Sequence, residues 1–409
     1  DALRSWAREP VEHPRAGAIA GAQQRAGSLA ELRLLAAADG PGTSGETPAL
    51  RKYRSRVRGC LVGGALGDAL GAPVEFDSLD AIRSRHGDAG VTTFIPFQGR
   101  PGRVTDDTQL TLFTCEGLIA ARLAGARKPE DVTSHVYRSY RRWLATQNSP
   151  EPPVPAPSWL AGMDWLYARR APGNACLSGL SRDVMGTPGE PHNPKSKGCG
   201  TVMRSAPYGL QVGKKPAEVY AEATHGAALT HGHPTASVAA GAFAVMVRAL
   251  AEDAPMDMAV TVALDLIPRT PDAVETRAAL TAAREAAAAG GPPHSWLVES
   301  LGGGWVAEEA LAIGVYAALA YPEPDQALNA LLLAVNHSGD SDSTGSICGN
   351  LIGARHGREA LPPFLPLGLE GLQVIEAVAT DFAVVNWPDW RAYEHPRTVA
   401  RLAPDYPVR

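Results

Sequence analysis

Sulfur chemistry has little to work with in this chain. Its 409 residues include five cysteines, Cys60, Cys115, Cys176, Cys199 and Cys348. No two are spaced as C-x-x-C, so neither a zinc site nor a dithiol redox centre is indicated. Their odd number and wide spacing fit reduced thiols and a cytoplasmic setting. The 11 histidines form no cluster suited to zinc. No apolar run reads as long enough to span a membrane. The segment from Asp1 to Trp6 has no basic stretch leading into an apolar one, so no signal peptide is expected. Positive charge is not in excess either. With 38 Lys and Arg against 43 Asp and Glu, the net charge is −5 and the pI about 6.1. That balance argues against a broad nucleic-acid surface and is compatible with a small nucleotide-like ligand.

The rest of the composition is that of a folded globular chain, 45% hydrophobic and 20% charged. Residues 1–50 stand apart. A helix-favouring stretch over 18–38 runs into Asp39-Gly40-Pro41-Gly42-Thr43-Ser44-Gly45, a linker composition. We read 1–50 as a helical appendage with a linker, or as a disordered tail, and 51–409 as one domain. Helical periodicity then dominates, over 107–124, 129–145, 215–229, 234–252, 256–266, 272–289, 306–320, 324–336 and 343–356. The best strand pattern, 91–97, is weak. Segments 149–157 and 172–198 are rich in proline or glycine and read as long loops. Residues 360–409 read as a tail wrapped on the surface around a helix at 370–382. The expected fold class is all-α.

Two acidic clusters carry the chemistry: Thr105-Asp106-Asp107-Thr108 and Asp340-Ser341-Asp342-Ser343. Each sits where a loop enters a helix. Carboxylates and hydroxyls are the hard oxygen ligands that Mg²⁺ or Mn²⁺ selects. Neighbouring helix residues do not share a face, so an ion held by Thr105, Asp106 and Asp107 must sit at the helix start. Read singly, the same residues are ordinary helix caps or Asx turns. Read together, they form a shared two-metal site if the fold unites them. Segment 59–71, holding Gly59, Gly63, Gly64, Gly67 and Gly71, is too glycine-rich for a helix unless a helix or a ligand packs against its backbone. Pro73 ends it, with Glu75 just beyond. Gly198-Cys199-Gly200 offers an anion nest or a structural turn. His231 stands at a helix junction, as a phosphate contact or a packed residue. Trp305, behind Gly302-Gly303-Gly304, is a base-stacking platform or core.

In order, these motifs are Gly67-Asp68-Ala69-Leu70-Gly71-x-Pro73-x-Glu75, Thr105 to Thr108, Gly198-x-Gly200-x-x-Met203-Arg204, Thr230-His231, Gly304 to Leu311 and Gly339 to Gly345. The set resembles the ADP-ribosylglycohydrolases, whose members act on ADP-ribosylated dinitrogenase reductase and on ADP-ribosyl-arginine. The likeness spans about 55–360. It implies a compact all-α multi-helix domain with a central binuclear cleft holding two Mg²⁺ (or Mn²⁺). The implied metal ligands are Thr105, Asp106, Asp107, Asp340, Asp342 and Ser343. Ser343 stands where some members carry Thr. Glu75 matches a glutamate that gates or polarises the site. Gly198, Cys199, Gly200 and His231 would line the diphosphate and distal ribose, Trp305 the adenine, and Asp68 would support the ligands. Asp106 or Asp107, with Glu75 the other candidate, would take the proton of the attacking water. The implied substrate is an ADP-ribosylated protein or small molecule, with ADP-ribose as product. The acceptor favoured is arginine. The alternatives are serine, a nucleic-acid base, small conjugates, a non-catalytic ADP-ribose-binding module, or a two-metal phosphohydrolase.

Overall fold

The computed structural model describes residues 47–289, 293–388, 390–393 and 396–408. The appendage and linker expected in 1–50 lie outside these residues, apart from the last four positions.

The first helix, α1 (Pro48–Gly71), opens on Thr47, whose side chain accepts from the Leu50 N–H at 3.2 Å, with Pro48 in the first turn. It is buried almost throughout from Gly59 onward. Four further helices are α2 (Asp106–Ala124), α3 (Pro216–Ala228), α4 (Pro234–Ala251) and α5 (Ser341–His356). Two elements pair as strands, Pro96–Phe97 with Arg100–Pro101, and an isolated bridge joins Gly198 to Val306. The rest of the described secondary structure is helical, so the fold is all-α.

At the centre α1 and α5 run antiparallel, backbone against backbone. Gly59, Gly63, Gly67 and Gly71 recur every fourth residue and so form one stripe of α1. Opposite them lie Gly353, Gly349, Gly345 and Ser341. A methyl group on Gly63 would sit 2.3 Å from the Gly349 carbonyl oxygen, and one on Gly67 would sit 1.9 Å from that of Gly345. The reverse holds too: a methyl on Gly349 would lie 1.9 Å from the Gly63 oxygen. Glycine weakens a helix by about 1 kcal/mol against alanine. Here the cost is offset by contact that no larger residue permits, which answers the either-or of the sequence in favour of a helix. The antiparallel pairing also sets the end of α1 beside the start of α5.

The structure corrects several expectations. The glycine-rich 172–198 contains a helix, Asn174–Leu180. The strand pattern at 91–97 contributes a strand only at Pro96–Phe97. The segment after 360 is no surface tail: a sixth helix, α6 (Leu372–Asn386), buries Ile375, Val378 and Phe382 completely and packs on α1 and α2. Among the described residues one helix does reach spanning length and apolarity. It is α4, 18 residues long, and it is a core helix, 83% buried inside the fold.

Candidate active site

Asp68 lies on the last turn of α1 and is completely buried. Its carboxylate accepts from the backbone N–H of Thr105 at 3.0 Å, from that of Thr108 at 3.1 Å, and from the Thr108 hydroxyl. One side chain thus clamps the end of α1 to the start of α2. Thr105 caps α2, its hydroxyl accepting from the Asp107 N–H at 3.3 Å. The preceding loop is held from the far end of the chain. Arg170 donates to the Val104 carbonyl at 2.9 Å and to Glu370 at 3.0 Å, and its own carbonyl accepts from the Asp106 N–H at 3.3 Å.

Asp340 caps α5 in the same manner, accepting from the Ser343 N–H at 3.4 Å. Its backbone N–H donates to the Gly303 carbonyl at 2.8 Å. Asp342 accepts from the Ser343 N–H at 2.9 Å. The Ser343 hydroxyl faces Met203, 3.8 Å from the sulfur. Both cap readings are therefore correct, and the two caps also converge. Glu75 follows the turn Ala72–Val74 at the end of α1 and is buried. Glu75, Asp340 and Asp342 each offer a carboxylate oxygen, all within 4.8 Å of one another.

Three further buried carboxylates, Asp68, Asp106 and Asp107, lie within electrostatic reach of Glu75, Asp340 and Asp342, though they are not part of that close group. Burial first, and the neighbouring charges second, push Asp68 up to about 7 and Glu75 up to about 10. The same two causes hold Asp106, Asp107 and Asp340 well above the usual carboxylate range. Burial raises Asp342 as well, against hydrogen bonds from its surroundings that lower it. The N-termini of α2 and α5 favour negative charge here but supply only fractional positive charge. Glu75 Oε2 and Asp107 Oδ2 are buried without a hydrogen-bond partner. Like charges out of water with unfilled acceptors are costly, and a divalent cation relieves that cost. The donor set is all oxygen, the chemistry that a hard divalent cation selects. The site is therefore a cluster of acidic residues able to hold a divalent metal.

A second wall closes on the cluster. The Cys199 thiol donates to Asp340 Oδ2 at 2.7 Å, and its backbone N–H donates to the Trp305 carbonyl at 3.2 Å. The Ala307 N–H donates to the Lys197 carbonyl at 2.8 Å. The segment around Gly198 is so laid beside Val306. The His231 imidazole rests against the same turn: a methyl on Gly200 would lie 3.0 Å from its Cε1, and one on Gly198 would lie 3.3 Å from its Nε2. Trp305 meets this turn through its backbone carbonyl. Its ring stacks on Phe76, centroids 5.4 Å apart and 21° between planes, and both rings are open to solvent. Phe76, next to Glu75, escaped the sequence reading, as did Arg170 and Glu370. Only the adjacency of Phe76 to Glu75 hinted at it; the Arg170 and Glu370 partnership spans 200 residues and has no local signal.

Residues 49–391 match the family model for ADP-ribosylglycohydrolase. The chain belongs to the ADP-ribosylglycohydrolase family. The match extends beyond 55–360 at both ends and takes in α6, in keeping with the place of that helix in the core. Among relatives, a protein of Archaeoglobus fulgidus described as uncharacterized is 27% identical over 338 residues, which is 80% of this chain and 95% of that protein. The ADP-ribosyl-[dinitrogen reductase] glycohydrolase of Rhodospirillum rubrum is 25% identical over 309 residues, 75% of this chain and 87% of that protein. A solved structure titled as an ADP-ribosylglycohydrolase-related protein complex shares the fold, with a TM-score of 0.58 and 23% identity, covering 82% of this chain and all of that one.

Proposed function

We propose that the chain hydrolyses the glycosidic bond that links ADP-ribose to an acceptor, with an arginine side chain of a protein as the acceptor it fits best, and that it does so with two Mg²⁺ or Mn²⁺ ions. The observation that carries the reading is the meeting of Glu75, Asp340 and Asp342 within 4.8 Å of one another, with Asp68, Asp106 and Asp107 buried within reach of the same charges. Family membership narrows the chemistry to ADP-ribose.

Asp106, Asp107, Asp340 and Asp342, with the Thr105 and Ser343 hydroxyls, would hold the ions. When bound, the ions supply Lewis-acid chemistry: they orient vicinal hydroxyls and make water more acidic. The chain does the rest. Asp68 fixes the start of α2, so the ligands are placed before substrate arrives, and placement supplies much of the rate advantage. Glu75, with an unfilled acceptor oxygen at the edge of the cluster, is the group we assign to take the proton of the attacking water, a role that requires nearby cation charge to keep its carboxylate ionised. The negative field of the aspartates stabilises positive charge that develops on the anomeric carbon, as paired acids do in other glycosidases. The turn Gly198–Gly200 and His231 are assigned to the diphosphate.

The exposed Phe76 and Trp305 pair stands next to Glu75 and so borders the reacting end. A guanidinium stacks well on such rings, which favours arginine as acceptor over serine. Replacing Trp305 with alanine is then expected to raise KM for an arginine-linked substrate about threefold to tenfold, with little change in the affinity for free ADP-ribose. An equal loss of ADP-ribose affinity, by calorimetry, would instead put the ring on the adenine. The reading as a whole is tested with ADP-ribosylated arginine, serine and guanine, each with Mg²⁺, Mn²⁺ or EDTA. Release of ADP-ribose from the arginine conjugate, lost with EDTA, is the expected result. Binding without release would make the chain a binding module, and release of inorganic phosphate would make it a phosphohydrolase.

A further inference from the structure

Behind the Gly198–Gly200 turn a buried polar chain leads to His231 through residues that the proposed mechanism does not use. Arg204 is 1% exposed and its guanidinium sits over the Tyr140 ring, 4.7 Å from the centroid. Its Nη1 donates to Cys176 Sγ at 3.2 Å, and its Nη2 donates to Thr230 Oγ1 at 2.7 Å. Thr230 Oγ1 in turn lies 2.8 Å from His231 Nδ1. Thr230 is fully buried and His231 nearly so.

The direction of this chain follows from what each group can do. A guanidinium only donates. Thr230 Oγ1 must therefore accept from Arg204, and its single hydrogen is left for another partner. Among the described residues the other group within reach is His231 Nδ1. If Nδ1 carried the imidazole hydrogen, it would donate to Thr230, and the threonine hydrogen would be buried without an acceptor, a costly arrangement. Every group is satisfied only when Nδ1 accepts. The imidazole is neutral, because burial, with the Arg204 charge added, pushes its pKa down to about 3. A neutral imidazole that accepts at Nδ1 carries its hydrogen on Nε2. Nε2 is the atom turned to Gly198 and Gly200.

We propose that Arg204 and Thr230 are positioning residues that hold His231 as its Nε2–H tautomer, so that the imidazole presents a hydrogen-bond donor at the Gly198–Gly200 turn. The use of that donor, to bind the anionic diphosphate of ADP-ribose, rests on the function proposed above; the tautomer does not. Arg204 acts at a distance, through Thr230, and touches no ligand.

The test uses the full chain with ¹⁵N-labelled histidine and two-bond ¹H–¹⁵N correlation spectra, with His231 assigned by its loss in His231→Gln. The expected wild-type pattern is protonated Nε2 and bare Nδ1. In Thr230→Val, nearly the same shape without the hydroxyl, Nε2–H should lose its dominance and the Kd for ADP-ribose should rise about tenfold or more. Thr230→Ser should restore both. Arg204→Met should act in the same direction as Thr230→Val; if it fails to fold, Thr230→Val and the wild-type spectrum still decide. A wild-type Nδ1–H pattern, or Thr230→Val with unchanged tautomer and affinity, would overturn the proposal. ADP-ribose binding together with Nδ1–H would sink the tautomer alone. Nε2–H in a protein that binds no ADP-ribose would uphold the tautomer and sink the proposed function.

Discussion

Asp342→Ala is expected to lower turnover of an ADP-ribosylated arginine substrate by about a thousandfold or more, within or beyond the range seen when one preorganised charge-stabilising group is removed. The same variant should be more stable than the wild type when both are kept in EDTA. Asp342 raises the proton affinity of Asp68, Glu75, Asp106, Asp107 and Asp340 through its charge. Removing it relieves that repulsion, so the metal-free Tm should rise. Adding Mg²⁺ or Mn²⁺ should raise the wild-type Tm, since an ion that binds only the folded state stabilises it by mass action. The variant should show a much smaller rise. Thermal melts with and without EDTA, beside the turnover assay, separate this outcome from simple unfolding. Near-wild-type turnover in the variant would remove Asp342 from the machinery.

Gly67→Ala carries the second large effect. On propensity alone the change should favour α1 by about 1 kcal/mol. The new methyl would lie 1.9 Å from the Gly345 carbonyl oxygen, and that neighbour is backbone within a buried helix. It cannot rotate away, so α1 and α5 must separate. Overpacking of a rigid core costs about 1–3 kcal/mol and at times more, and a contact this close belongs at or above the top of that range. We expect a net loss of about 3 kcal/mol in urea unfolding. Activity should fall further than stability, because separation of the helices moves Asp340 and Asp342 away from Glu75. Gly189→Ala, at an exposed position with nothing near the added carbon, is the control and should be within about 0.5 kcal/mol of wild type. A Gly67→Ala protein as stable as wild type would mean that the helices do not pack as described.

Much of the site was legible because its parts are short and local. Thr105 to Thr108 and Asp340 to Ser343 each combine capping residues with extra carboxylates, and each does sit at a helix start. The glycine spacing of α1 called for a close neighbour and found one. What escaped the sequence depends on partners distant along the chain. The segment after 360 looked like a tail because prolines surround it, yet α6 between those prolines is apolar and fills the core. Arg170 and Glu370 carry no local signal, and only the fold pairs them beside the α2 loop. Trp305 reads as a base-stacking platform or as core, and only the fold lays it on Phe76.

The local chemistry was therefore determined by sequence alone: which residues cap helices, which offer hard oxygen ligands, and which stretch of helix must lie against another backbone. Tertiary structure decided what those residues do together. The acidic cap of α5 becomes part of a cluster able to hold a metal because two glycine stripes let α1 and α5 approach to backbone contact, bringing Glu75 to Asp340 and Asp342. Charge repulsion and unfilled acceptors arise from that proximity and burial, and neither property belongs to any residue on its own.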